Sequence, residues 1–251
     1  SMQLTRQIPS LIYAAASMDR LMEIENSEKE ESGEQIMLKA PAGISVDHIS
    51  FRYPDGKGWI FNDFSYDFKP GSRTAIVGET GIGKSTLIRL ILSLLKPNGG
   101  EIRIYNESES RVTSALTRNN LVYVPQGNTL FSGTVRENLL MGDPEAGDRQ
   151  MWAVLDVAEA GFVRSLAGGL DARIGEIGAG LSEGQAQRIA IARGLLRPGS
   201  ILLLDEFSSS LDQETERRLL KNLSENYGNK TIIFITHRDA VLDYCDAVLR
   251  L

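Results

Sequence analysis

The chain has 251 residues, long enough for one large domain or one domain with an appendage, and its 42% of hydrophobic residues can build a sizeable core. A formal net charge of −6 argues against DNA or RNA as the main partner, because duplex binders carry a basic face. The single cysteine, Cys245, excludes an internal disulfide framework, and the sequence has neither a membrane-length apolar run nor a secretory signal pattern.

Ser1 before Met2 reads as a cloning scar. Residues 9–25 place Leu11, Ala15, Met18 and Met22 at helical spacing, with Asp19, Arg20 and Glu23 between them. This predicts a helix, either a surface helix of the same domain or the tail of something preceding it. The run NSEKEESGE, Asn26–Glu34, has no core-forming residues and reads as a linker. Strand-like pieces follow over Met37–Tyr53 and Trp59–Phe68. In the second, WIFNDFSYDF, aromatics alternate with polar residues, which is the period of a strand. Thr74–Val77 is a short apolar strand, and Lys84–Leu95 is a predicted helix stopped by Lys96-Pro97-Asn98-Gly99-Gly100. Leu121–Val124 reads as a further strand, and residues 133–170 read mainly as helices with Gly and Asp breaks. Ile201–Leu204 and Thr231–Ile235 are continuous apolar runs, which suit strands buried on both faces of a parallel sheet. Strands alternating with helices imply an α/β core.

Between the strand at Thr74–Val77 and the helix at Lys84 stands Gly78-Glu79-Thr80-Gly81-Ile82-Gly83-Lys84-Ser85. It matches G-x-x-x-x-G-K-[ST] in the required strand–loop–helix setting. Glycines let the backbone fold tightly around a bulky anion. The loop's N–H groups then form an anion nest, to which the helix start adds its own unsatisfied donors. Lys84 brings a full charge to the terminal phosphates, and Ser85 a hydroxyl to Mg²⁺. Each charge-assisted hydrogen bond contributes roughly 1.5–3 kcal/mol net, so several together hold a triphosphate. A chance glycine-rich turn is the weaker reading, given both flanks.

Phosphate hydrolysis needs a further metal contact and a group that activates water. Ile201-Leu202-Leu203-Leu204 runs into Asp205-Glu206, which puts two carboxylates at the C-terminal edge of a parallel sheet, where such folds bind ligands. Asp205 is expected to hold Mg²⁺ through water. Glu206 is expected to polarise the attacking water, a role worth about 10²–10⁴-fold. A helix N-cap pair is the bland alternative, and it leaves four apolar residues before two acids unexplained.

Leu181-Ser182-Glu183-Gly184-Gln185 resembles the signature of ATP-binding cassette (ABC) ATPases, usually LSGGQ. Gln126 after Val122-Tyr123-Val124-Pro125, Ser210-Leu211-Asp212, and His237 after Ile233-Phe234-Ile235-Thr236 complete that family's motifs in family order, from about residue 37 to the end. The resemblance implies a P-loop NTPase core with a mainly parallel sheet, an antiparallel β subdomain and an inserted α-helical subdomain at about 127–195, within an ATPase domain of residues 36–251. It implies ATP and Mg²⁺ as cofactors, the nucleotide lying along Gly78, Glu79, Thr80, Gly81, Ile82, Gly83, Lys84, Ser85 and Thr86. Tyr53 then stacks on adenine, a contact worth roughly 1–3 kcal/mol; a solvent-edge strand tyrosine is the alternative. Gln126 reaches Mg²⁺ and the attacking water. Ser182, Gly184 and Gln185 contact the γ-phosphate of ATP held by a second subunit, their helix N-terminus serving as an anion site. His237 hydrogen-bonds the γ-phosphate, its alternative being a satisfied core histidine, and Asp212 organises the dimer contact. The implied catalytic set is Lys84, Gln126, Glu206 and His237; the implied metal set is Ser85, Gln126 and Asp205. Two departures stand out. Glu183 stands where the signature usually has the first of its two glycines and brings negative charge near ATP unless it points away. The chain also stops at Leu249-Arg250-Leu251, where family members usually continue with another strand and turn. Cys245 is expected to be a buried small apolar residue.

Three stretches resemble exporter-type ABC transporters. Leu130–Asn138, LFSGTVREN, looks like the segment that touches transmembrane coupling helices, and Gly175-Glu176-Ile177-Gly178 resembles the exporter cross-contact loop. The first 35 residues resemble the tail of a last transmembrane helix with its linker. The implied protein is the nucleotide-binding domain of a membrane exporter at the cytoplasmic face of the cell membrane, the isolated domain being soluble. Its implied partners are a second such domain, closing head to tail over two ATP, and transmembrane domains; no nucleic acid is expected. A soluble ABC ATPase acting on nucleic acid or ribosomes is the alternative. A small-molecule kinase is disfavoured, since it would not need the signature.

Overall fold

The computed structural model describes residues 29–56, 58–175 and 180–251. The helix expected over residues 9–25 lies outside the described residues. Contacts divide the chain into Ser1–Ser32 and Gly33–Leu251, and every described strand and helix belongs to the second unit.

β1 (Gly43–Phe51) and β2 (Phe61–Phe68) pair antiparallel, with Ile44 opposite Phe68. β3 (Arg73–Val77) leads through the glycine loop into α1 (Lys84–Ile91). That helix ends before the expected Leu95. Ser93 takes φ +54°, and the N–H groups of Leu94 and Leu95 turn back to the Arg89 carbonyl at 2.8 and 3.2 Å, so the chain leaves the helix ahead of the Lys96-Pro97 stop. The glycines of that stop signal open a strand the sequence did not announce, β4 (Gly99–Tyr105), which pairs with β1 on one side and β5 (Ser110–Val112) on the other. Gly100 makes the close approach possible: its φ is +73°, and a Cβ there would stand 2.3 Å from the His48 carbonyl oxygen. The result is a four-stranded antiparallel sheet in the order β2-β1-β4-β5.

β6 (Leu121–Val124) forms as expected. Residues 133–170, expected mainly helical, hold β7 (Gly133–Thr134), α2 (Val135–Leu140), α3 (Asp148–Val157) and 3₁₀ turns at Gly161–Ser165 and Gly169–Asp171. Gly168 and Gly169 at φ +98° and +56° stop regular helix there, and β7 pairs antiparallel with β8 (Arg173–Ile174). α4 (Glu183–Leu196), β9 (Ile201–Asp205), α5 (Gln213–Asn226), β10 (Thr231–Ile235), α6 (Asp239–Leu242) and β11 (Ala247–Arg250) complete the unit. The residues just before the end form a strand that the sequence reading did not announce. β11 runs parallel to β3 with Leu249 buried opposite Ile76, while Val248 and Arg250 on the other face are exposed.

The second sheet is entirely parallel, in the order β11-β3-β10-β9-β6, and alternation along its strands divides the interior in two. Leu202 and Leu204 of β9 face a core built with Leu139, Leu155, Ile189 and Leu219 from α2, α3, α4 and α5. Ile201 and Leu203 face the other core, with Leu87 and Ile91 of α1 and Ile44 and Phe68 of the antiparallel sheet. Each such side chain, fully buried, contributes about 1.5–3 kcal/mol of transfer free energy. This two-sided burial is why β9 and β10 read as unbroken apolar runs. No helix among the described residues is long and apolar enough to cross a membrane.

Candidate functional site

Register assembles the site. Ile235 of β10 lies opposite Asp205 of β9 and also opposite Ile76 of β3, so three strand ends stand abreast at the carboxyl edge of the parallel sheet. From them emerge Glu206, His237 and the glycine loop. Gly81 takes φ +88° and Gly83 +123°, and a Cβ on Gly83 would lie 2.8 Å from Ile60 Cγ2 and 3.2 Å from Phe61 Cζ. Only glycine fits where the loop hands over to α1. That helix start has no side-chain cap and no acidic residue in its first turn, so its leading N–H groups face the loop unclaimed. Lys84 is buried, and its Nζ donates to the carbonyls of Gly78 at 2.5 Å and Glu79 at 3.0 Å. Ser85 is exposed and Thr86 buried. Val77, Gly78, Glu79, His237 and Arg238 line an open cavity of about 410 Å³ beside the loop.

Burial lifts the Asp205 carboxyl above the ordinary carboxylate range; a hydrogen bond from Tyr123 and the charge of Lys84 oppose the rise. Glu206 occupies the left-handed backbone region at φ +42°, held there by its N–H donating to Ile235 O at 2.9 Å. Its Oε1 lies 3.2 Å from His237 Nε2, so the expected base and the expected phosphate donor meet as a pair. His237 is exposed and faces the carboxylate, so it is not the satisfied core histidine that was its alternative. Gln126 is exposed after β6, where Gly127 turns the chain at φ +85°. Tyr53 stands beside the start of α1, its hydroxyl 3.4 Å from Thr86 Oγ1 and accepting from Arg89 Nη1 at 3.2 Å. These contacts, that to Thr86 first, pull its phenol below the ordinary tyrosine value.

The signature residues lie elsewhere, at the start of α4. Ser182 caps that helix: its Oγ accepts from the Gln185 N–H at 3.2 Å, and its own N–H donates to Gln185 Oε1 at 2.9 Å. Gly184 is buried, and a Cβ there would meet Ser210 O at 2.6 Å. Glu183 is exposed. Asp212 caps α5, its Oδ1 accepting from Thr215 N–H at 2.9 Å and its Oδ2 from the Thr215 hydroxyl at 2.7 Å. These bonds, the backbone one foremost, hold its carboxyl below the usual range. Of the exporter cross-contact loop, residues 176–178 lie outside the described residues.

Three participants escaped the sequence reading. Tyr123 reaches Asp205. Arg238 clamps the Ser209–Asp212 loop, donating to Leu211 O at 3.1 Å, Ser209 O at 3.2 Å and the buried Glu216 Oε2 at 3.2 Å. Gln187 of α4 donates to Pro125 O at 3.2 Å, tying that helix to the segment carrying Gln126. Their partners follow from burial, which only the fold reveals: Glu216 and Gln187 are buried on helices and need partners there.

Among the described residues no cluster of His, Cys, Asp or Glu could by itself hold a metal ion. Ser85 and Asp205 nonetheless suit Mg²⁺, which is held by one or two oxygen groups together with substrate phosphates.

A glycine loop closing on an uncapped helix, with an acidic strand end and a Glu–His pair abreast of it, defines a phosphate-loop nucleoside triphosphate hydrolase. The family model described as ABC transporter matches residues 61–209, and the chain belongs to that family. What it comprises is the family's ATP-binding, ATP-hydrolysing domain. It is 36% identical over 93% of its length to a probable multidrug resistance ABC transporter ATP-binding/permease protein, YheI, of Bacillus subtilis, covering 40% of that protein. It is 35% identical over 95% of its length to a multidrug resistance ABC transporter ATP-binding and permease protein of Lactococcus lactis, covering 41% of it. Among solved structures it resembles a bacterial Atm1-family ABC exporter with ATP bound, at a TM-score of 0.83 and 32% identity, over 98% of this chain and 43% of that one. The chain thus spans about two fifths of the proteins it matches.

Proposed function

We propose that the chain is the nucleotide-binding domain of an ABC exporter, hydrolysing ATP at the cytoplasmic face of a membrane to drive transport by attached transmembrane domains. The observation that carries this reading is the uncapped start of α1 behind Gly78–Gly83, abreast of Asp205 and the Glu206–His237 pair. In operation the loop amides and Lys84 grip the β- and γ-phosphates. Lys84 must first exchange the carbonyls of Gly78 and Glu79 for phosphate oxygens. Glu206 orients and polarises the attacking water, with His237 holding the carboxylate on one side and the γ-phosphate on the other. Tyr53 stacks on adenine. Bound Mg²⁺, held by Ser85 and Gln126 and, through water, by Asp205, would supply charge compensation to the phosphates.

Two chains are proposed to close head to tail, Ser182, Gly184 and Gln185 of each facing the other's γ-phosphate. The relatives' permease portions favour an exporter over a soluble ABC ATPase working on nucleic acid or ribosomes. The test is Glu206→Gln. It removes the negative charge that polarises water but keeps the shape, so turnover should fall by about 10²-fold or more. With ATP and Mg²⁺ the variant should accumulate as a dimer in light scattering. A persistent monomer with parental hydrolysis would overturn the reading.

A further inference from the structure

Asp205 carries a hydrogen bond that no nucleotide-binding motif requires. The Tyr123 hydroxyl donates to its Oδ2 at 2.9 Å. β6 and β9 run parallel with Tyr123 opposite Leu203, so Tyr123 and Asp205, two residues beyond Leu203, project from the same face of the sheet. The tyrosine ring packs against the core containing Ile201 and Leu203, which fixes where its hydroxyl points. A half-buried phenol of this kind needs a polar partner, and here the partner is the carboxylate of the acidic strand end.

We propose that Tyr123 is a positioning residue for the metal-binding carboxylate. By occupying Oδ2 it fixes the Asp205 rotamer and leaves Oδ1 as the oxygen available to the hydrated cation. This inference rests on the reading of Asp205 as the Mg²⁺ residue.

Tyr123→Phe keeps the packed ring and deletes only the donor. ATP affinity is measured by calorimetry on the 251-residue chain, first with EDTA and then along a Mg²⁺ titration. Without metal, the variant should bind ATP as the parent does. The Mg²⁺ concentration giving half of the metal-dependent gain in affinity should rise roughly tenfold, as when partners that orient metal ligands are removed elsewhere. A purely structural role would instead lower metal-free affinity or thermal stability and leave the Mg²⁺ midpoint in place, and that result overturns the inference. Asp205→Asn, titrated in the same way, separates the two levels. If it abolishes the Mg²⁺-dependent gain while Tyr123→Phe changes nothing, only the role of Tyr123 falls. If Asp205→Asn leaves that gain intact, the assignment of Asp205 falls, and the role of Tyr123 with it.

Discussion

Lys84 shows how a single side chain serves the site both empty and filled. Without phosphate its ammonium satisfies the carbonyls of Gly78 and Glu79, closing the loop on itself and compensating for its own burial. In the proposed nucleotide-bound state those donors move to the anion. Lys84→Ala therefore removes one or two charge-assisted hydrogen bonds of about 1.5–3 kcal/mol each, and nucleotide affinity measured by calorimetry should fall by roughly tenfold or more. Parental affinity in that variant would mean the loop amides act alone. Glu206 and His237 make the complementary point: neither is buried, and their 3.2 Å contact leaves both able to turn to a substrate.

At the scale of elements, the start of α4 is built by two opposing needs. Its outer side, with Ser182, Glu183 and the capping Gln185, meets solvent; its inner side, at Gly184, presses on the Ser209–Asp212 loop that caps α5. Glu183, where the usual signature has the first of its two glycines, is exposed, so that position has room for a side chain, while the second, Gly184, has none. Gly184→Ala would put a Cβ 2.6 Å from Ser210 O and 3.2 Å from Leu211 Cδ2. The backbone must then move, at a cost of about 1–3 kcal/mol. Urea unfolding should show that loss for Gly184→Ala and almost none for Glu183→Ala. Equal behaviour of the two would refute the packing account. Arg238 belongs to the same device: by bonding Ser209, Leu211 and Glu216 it links the segment after His237 to the loop beneath α4.

The whole molecule presents the two halves of its chemistry at different places. The glycine loop and Glu206 lie at the parallel sheet's carboxyl edge, while Ser182–Gln185 lie at the head of α4 against Ser210 and Leu211. If, as proposed, the signature serves another chain's nucleotide, ATP hydrolysis requires a pair. Specific activity should accordingly rise with protein concentration in the dilute range and level off once pairs dominate. A specific activity independent of concentration, with the chain monomeric by light scattering, would show that one copy suffices. The net charge of −6 adds mild mutual repulsion, which nucleotide-bridged contacts must exceed.

Local physics made much of this legible. A glycine loop between an apolar strand and a helix, and four apolar residues running into Asp205-Glu206, each state their chemistry in consecutive residues, and the parallel α/β core follows from unbroken apolar runs. β4 was hidden because Gly99-Gly100 carries a stop signal that is also a strand start when Gly100 must pass His48. The helix expected to reach Leu95 ends at Ile91 because Ser93 adopts a left-handed turn that no local propensity demands. The last strand went unread because Leu249 gains its partner only from Ile76, far away along the chain.

The sequence by itself determined which groups can meet phosphate and metal, since glycine freedom, lysine charge and carboxylate chemistry belong to the residues wherever they stand. Only the tertiary structure decided which of them meet. Strand register set Asp205 beside Tyr123 and carried Glu206 to His237, and packing turned Gly184 inward, because contacts between residues distant in sequence follow from how two cores fill on the two faces of one sheet.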